Sequence, residues 1–356
     1  MPPPELQRWA IMAGIPEVLV DEAVKRISPP GTDFAVAHNE PPRASVVTIP
    51  LRVTLPTSLL TYPYIAAAHC SGLLLLCGTH LIDPFSALVS YHLCHARTGK
   101  IVSIIPHNHP TGFHGATVGL LTKGDACVVA ELQPDLDCTG RATLLTYKVG
   151  EGACKWSVRE LAFSPPPKRP WFGEGVVSHD GRLWWVDLSY GLLSYDPFAD
   201  NERLLYVPLP QVADEIPADP VRRGLHRCVK VSRGRLRYVQ IHGKPDAPVV
   251  STWALVDPFS KDWIPERRMD MADVWFDESY LGTMLPWSVP DLALIHPTDP
   301  DRVYFFLGSC IFAVDLRRKM VVGYDNDFQM PDPPRHLKRS SHFVHAWCYD
   351  PSSSIS

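Results

Sequence analysis

The chain lacks a segment that could cross a bilayer as a helix. Its longest apolar run, residues 64–77, is interrupted by His69 and Ser71 and falls short of the ~20 residues a spanning helix needs. Residues 1–20 carry Glu5 and break at Gly14 and Pro16, so they do not read as a secretory signal. The nine cysteines, an odd number, include no C-x-x-C pair. That excludes a regular disulfide framework and fits reduced thiols in the cytoplasm or nucleus. Five of them (Cys77, Cys94, Cys127, Cys228, Cys310) lie inside apolar strand patterns, where cysteine acts as a small hydrophobe. A basic excess is also missing: the net charge is −4, which argues against nucleic acid as the partner.

Signatures of catalysis are equally scarce. There is no G-x-S-x-G elbow, no P-loop, no G-x-G-x-x-G after a strand and no H-E-x-x-H, so neither a catalytic residue nor a cofactor is expected. No stretch after Pro29 sustains a helical period; only residues 16–27 fit a short helix.

What the chain does have is proline and tryptophan, 36 and 10 residues, in a composition 46% hydrophobic. Proline at about twice its usual share disfavours helix interiors and suits turns and strand edges, so the fold class is all-β. A unit recurs five times. It opens with two apolar strands joined by a tight polar turn, as in GVVSHDGRLWWVDL (175–188), RCVKVSRGRLRYVQI (227–241) and LALIHPTDPDRVYFFL (292–307), with looser copies at 66–77 and 117–132. A third strand, a turn that often begins Asp-Pro, and a fourth strand follow at 192–209, 252–267 and 311–324, and more weakly at 91–105 and 144–161. Four antiparallel strands repeating at roughly 50–60 residues predict propeller blades.

Strand-like segments at 44–55 and 343–349 remain over. Pairing the two chain ends in one composite blade would close the ring, which predicts six blades, with five to seven possible. The single domain spans 8–349, with flexible tails at 1–7 and 350–356. A two-sheet all-β fold divided near residues 165–170 is the rival. Trp184 and Trp185, in a strand apolar without alternation, are expected to pack between blades.

The run GVVSHDGRLWWVDLSYGLLSYDPFAD (175–200) followed by VPLP (207–210) resembles a plant family expanded in the grasses, the domain of unknown function 1618. EPPRAS (40–45), RCVKVSRGRLRYV (227–239) and LALIHPTDPDRVYFFL (292–307) extend the resemblance over almost the whole chain, and Trp9–Met12 is similar to the family's N-terminal strand. The resemblance implies a plant protein with a propeller-like fold, similar in style to domains that follow F-boxes, and no established activity. An F-box is not expected ahead of this repeat, because the leading segment is short and lacks its helices.

Tight turns should gather on one rim of such a ring and the longer connections, 107–115, 165–173, 210–226 and 268–290, on the other. Scaffolds carry binding residues on such loops. Trp171, Tyr190, Arg222, Arg223, Trp275, Tyr280 and Trp287 are therefore the candidate partner-binding residues, being of the types that dominate interface energetics. Seven of the 15 histidines fall between His69 and His114. His107, His109 and His114 are metal candidates by residue type, although Pro110 and Gly112 mark a solvated loop instead. Arg233, Arg235 and Arg237 alternate along one strand, as on a solvated outer strand or a basic stripe. Ser178-His179-Asp180 is a turn, since adjacent residues cannot form a triad's relay. The expected function is a non-enzymatic scaffold module that binds a protein or peptide. The alternative is a small-ligand-binding or hydrolytic propeller using the central channel, which a channel plugged by apolar side chains would exclude.

Overall fold

The computed structural model describes residues 8–58, 61–83, 86–107, 117–150, 155–199, 202–212, 223–335 and 337–349. The expected tails, 1–7 and 350–356, lie outside these. The chain opens with β1 (Arg8–Ala13), β2 (Glu17–Leu19), α1 (Asp21–Ile27), β3 (Ala35–Ala37) and β4 (Ala44–Pro50). Four-stranded units then follow one another. The first holds β5 (Tyr64–Ala68), β6 (Leu73–Asp83), β7 (Ser86–His95) and β8 (Lys100–Ile104), and the second β9 (Val118–Lys123), β10 (Ala126–Pro134), β11 (Arg141–Val149) and β12 (Trp156–Ala162). The third holds β13 (Val176–His179), β14 (Arg182–Asp187), β15 (Gly191–Tyr195) and β16 (Leu205–Pro208). After α2 (Arg223–His226) come β17 (Arg227–Ser232), β18 (Arg235–Lys244), β19 (Ala247–Asp257) and β20 (Asp262–Asp270). Two short helices, α3 (Met271–Trp275) and α4 (Glu278–Leu281), precede β21 (Asp291–Ile295), β22 (Arg302–Leu307), β23 (Cys310–Asp315) and β24 (Met320–Asp325); β25 (Val344–Tyr349) is last.

Each unit is an antiparallel meander in which consecutive strands pair. Their first strands lie innermost: β5 touches β9, β9 touches β13, β13 touches β17, and β17 touches β21. This is an all-β β-propeller, a ring of sheets, and the two-sheet rival is excluded by it. Five sheets are regular four-stranded blades, against the six expected. The remaining sheet is irregular, because β4 receives β1 and β2 in parallel and β3 antiparallel. The strand at 44–55 was the expected partner of the C-terminus, but β1 takes that place instead: Arg8–Ala13 pairs antiparallel with β25, Arg8 opposite Tyr349 and Ala13 opposite Val344. Gly14 follows at once, and a Cβ there would lie 2.8 Å from the Phe343 backbone. Its N–H donates to Phe343 O (2.6 Å) and its carbonyl accepts from Ile65 N (2.6 Å). No larger residue fits between the two chain ends and the first blade.

The turns form for the reasons expected. Asp180 and Gly181 have φ of 50° and 67°, and Arg233 and Gly234 45° and 67°, positive at both central positions as the twist of a two-residue hairpin demands. The Asp-Pro turns are Asx turns: Asp196 accepts from Phe198 N (2.8 Å) and Asp257 from Phe259 N (2.9 Å). Apolar side chains fill the spaces between neighbouring sheets. Trp184 and Trp185 are both buried, as expected of inter-blade packing, and they leave β14 on opposite faces. Trp185 joins Val128, Ala130 and Leu144 of the preceding blade, and Trp184 joins Val229, Leu236 and Tyr238 of the next. The helices α2, α3 and α4 were not expected. With four or five residues each, they are too short to show a period. Among the described residues no helix is long and apolar enough to cross a membrane.

Candidate functional site

The expected partner-binding residues divide sharply. Trp171 is buried, with its ring edge-on to Phe163 (6.3 Å) and Tyr190 (5.8 Å), and belongs to the core between two blades. Tyr190 is half-buried; its hydroxyl donates to Pro166 O (3.3 Å), and the Arg169 guanidinium lies over its ring at 5.9 Å. That guanidinium is fixed in turn by the buried Asp187 carboxylate at 2.7 Å. Trp275 and Tyr280 are also core. Met271, Val274 and Trp275 share the inward face of α3, the i, i+3, i+4 spacing of an amphipathic turn. The Tyr280 hydroxyl donates to Pro286 O (2.8 Å), which folds the excursion back on itself. Trp171, Trp275 and Tyr280 are thus covered and anchor their loops. Arg223 opens α2 and its side chain is outside the described residues, as is the whole of Arg222.

Trp287 is exposed, at 55%. It stands edge-on to Phe276 (4.9 Å, 73°), itself 67% exposed, and the same excursion exposes Leu281 and, at 89%, Met284. Sequence reading missed Phe276, Leu281 and Met284. The available signal was the i, i+3, i+4 pattern at 271, 274 and 275, which turns Phe276 outward.

The second site is axial. A cavity of about 470 Å³ runs between the innermost strands β5, β9, β13, β17 and β25, and reaches the turn residues His69, Cys70, Arg233, Gly234, Pro297 and Thr298. Alanine and valine form much of its wall, but five basic side chains line it: His69, Lys230, Arg233, His342 and His345. The Lys230 ammonium donates to the carbonyls of Ser341 (2.8 Å) and Val344 (3.4 Å). His345 Nε2 donates to Ile65 O (2.6 Å), and the His342 ring stacks over Tyr64 (6.3 Å). Burial, and then the nearby Lys230 charge, depress both imidazoles, His342 to about 4 and His345 to about 3. Burial likewise lowers Lys230. The channel is not plugged by apolar side chains.

Both histidines titrate near 6.5 when unfolded and well below that when folded. Between these limits the unfolded chain binds more protons, so stability is complete above pH 6.5 and falls as pH drops towards 4. Each histidine is expected to contribute up to ~1.4 kcal/mol of lost stability per pH unit in that window. Urea unfolding at pH 7, 6 and 5 measures this, and His345→Gln should flatten the slope.

His107 is buried, not on a solvated loop. Its Nε2 meets the Glu131 carboxylate at 3.0 Å, and its ring lies against Tyr91 (5.9 Å) and Trp156 (4.9 Å). Burial works to raise the Glu131 pKa, but hydrogen bonds from His107, Tyr91 and Gln133 outweigh it and hold the carboxyl low. His107 is thus committed to this network, while His109 and His114 lie outside the described residues. Among the described residues no group of three His, Cys, Asp or Glu could hold a metal.

The arginine stripe is also corrected. Arg233 stands in the turn before β18, and Arg235 and Arg237 lie on β18, the second strand of its blade and not an outer one. Arg237 is buried there and bidentate to Glu266 (2.7 and 3.0 Å), while Arg235 is exposed. Ser178 donates to Leu120 O (2.9 Å), as part of a strand beside a turn.

Comparison with solved structures gives distant likenesses. A GH74 xyloglucanase from Xanthomonas campestris is 14% identical at a TM-score of 0.37, over 96% of this chain and 56% of that one. This chain therefore spans little more than half the length of that enzyme. AztD from Citrobacter koseri is 14% identical at a TM-score of 0.29, over 79% and 73%. The Cps50 (Swd1) β-propeller domain from Myceliophteria thermophila is 10% identical at 0.34, over 79% and 92%. No curated protein matches the chain in sequence. Residues 185–304, which hold 207–210 and 227–239 and overlap 175–200 and 292–307, match the model of a family described as a protein of unknown function (DUF1618).

Proposed function

We propose that this protein is a non-catalytic scaffold that docks a protein or peptide through the apolar surface between β20 and β21. The exposed Phe276–Trp287 pair carries the reading. Large aromatics held edge-on in solvent, beside Leu281 and Met284, lose apolar exposure only when something covers them. Their support is rigid: Asp277 caps α4 by accepting from Ser279 N (2.9 Å), and the same serine's hydroxyl accepts from Val321 N (2.8 Å). A complementary partner offers aliphatic or aromatic side chains at matching spacing. The irregular sheet acts as the sixth blade and closes the ring through β1 and β25. The whole chain is a member of the 1618 family, of plant origin, working in the cytoplasm or nucleus.

Peptides selected on the immobilised protein provide the test. The Phe276→Ala, Trp287→Ala double variant should bind them roughly 30-fold more weakly or worse, the loss of at least one ~2 kcal/mol hot spot. Phe259→Ala, which removes an equally exposed ring from another blade, should leave binding unchanged. Equal affinities for the double variant and the wild type would remove the docking surface from this excursion.

A further inference from the structure

We infer that the axial cavity is a binding site for a small monocarboxylate with an apolar body, its oxygens held by Lys230 between His342 and His345. The inference is independent of the docking surface, which lies in the excursion between β20 and β21.

Lys230 is the starting point. Its ammonium sits deep in the ring, and its hydrogen-bond partners are two backbone carbonyls. Among the described residues no carboxylate forms an ion pair with it. A half-buried cation whose protein partners are neutral carbonyls is only partly compensated for its desolvation, and an anion arriving beside it offsets the remainder. The one acidic side chain on the cavity wall, Glu174, has its carboxylate directed at Leu188 N (2.7 Å). Arg233 stands in a turn that lines the same cavity, so the fixed charge along the cavity is positive on balance.

The histidines fit the same ligand. Because Ile65 O can only accept, His345 must carry its proton on Nε2, which leaves the Nδ1 lone pair available in the neutral ring. A neighbouring anion favours the doubly protonated ring, in which Nδ1 becomes a second donor. Burial and the Lys230 charge disfavour that form, and a bound carboxylate would offset the charge. Ile65, Ala67, Val176, Val229 and Ala346 give the wall a continuous apolar stretch, which suits a ligand with an apolar body. The volume of about 470 Å³ is that of a small-molecule site.

The test is calorimetric titration of the full chain at pH 7 with benzoate and phenylacetate, their neutral isosteres benzamide and benzyl alcohol, and inorganic phosphate. At least one of the two acids should bind saturably at one site per chain. The isosteres and phosphate should bind about tenfold more weakly or not at all, as the loss of a charge-assisted contact implies. Lys230→Met keeps the volume and removes the charge, so it should unfold no more easily than wild type and lose about tenfold or more in affinity for the acid. Benzamide binding as tightly as benzoate, phosphate binding more tightly than either acid, full affinity in Lys230→Met, or no binding of either acid up to its solubility limit would each overturn the assignment.

Discussion

Replacing Trp185 by alanine is expected to destabilise the protein by about 3–5 kcal/mol, the range for a fully buried large aromatic. The side chain is 1% exposed and fills the space between the second and third blades, against Val128, Ala130, Leu144 and Tyr195. Its indole N–H also donates to Thr117 O at 2.6 Å, just ahead of β9. Alanine would leave a cavity at a blade interface and take away one of the two donors to Thr117 O, with Leu132 N (3.1 Å) remaining. Blades bury both faces against neighbours, so the damage is not confined to one sheet. Trp184→Ala should cost a similar amount on the opposite face, where the ring meets Leu236 and Tyr238. Set against a typical total stability of about 5–15 kcal/mol, either change threatens folding. Trp185→Phe is therefore the graded variant, keeping most of the apolar volume while losing the Thr117 bond at about 0.5–1.5 kcal/mol. Urea unfolding of the three variants beside Trp287→Ala measures the series. The last, an exposed ring, should shift stability by no more than about 0.5 kcal/mol.

Removing residues 1–13 should be at least as damaging. Ile11, Met12 and Ala13 are completely buried, and β1 covers the whole length of β25. Without it, β25 would expose a row of unpaired backbone groups beside β5 and β21, an edge that invites association. The truncated chain should lose its cooperative unfolding transition and aggregate on concentration. A peptide spanning residues 8–15, added in trans, should restore monomeric behaviour by adding the missing strand. A truncated chain as stable as the parent would show that β1 is dispensable.

The blades were legible in the sequence because each local signal agreed with the others. Asp180-Gly181 and Arg233-Gly234 demanded hairpins, Asp196 and Asp257 demanded Asx turns, and Trp184-Trp185 demanded a strand buried on both faces. Three things escaped. The pairing of β1 with β25 escaped because 44–55 carries the stronger β pattern, whereas Arg8–Ala13 is short and runs straight into Gly14 and Pro16. The inward turn of Trp275 and Tyr280 escaped because α3 and α4 are each about one helical turn, and residue type alone does not say which aromatic is covered. The axial cluster escaped because Lys230 and Ser341 stand 111 positions apart. On an innermost strand, a side chain that faces the axis looks in sequence like any polar residue in an alternating pattern.

The first and last strands share one sheet, and the proposed closure of the ring through them would make that sheet open together with the blades. Native-state hydrogen exchange tests it most directly. The amides of Arg8–Ala13 and Val344–Tyr349 should exchange with the same opening free energy as those of Arg182–Asp187 in the third blade, since a locked ring opens only globally. Rapid exchange of Arg8–Ala13 while Arg182–Asp187 remains protected would contradict it.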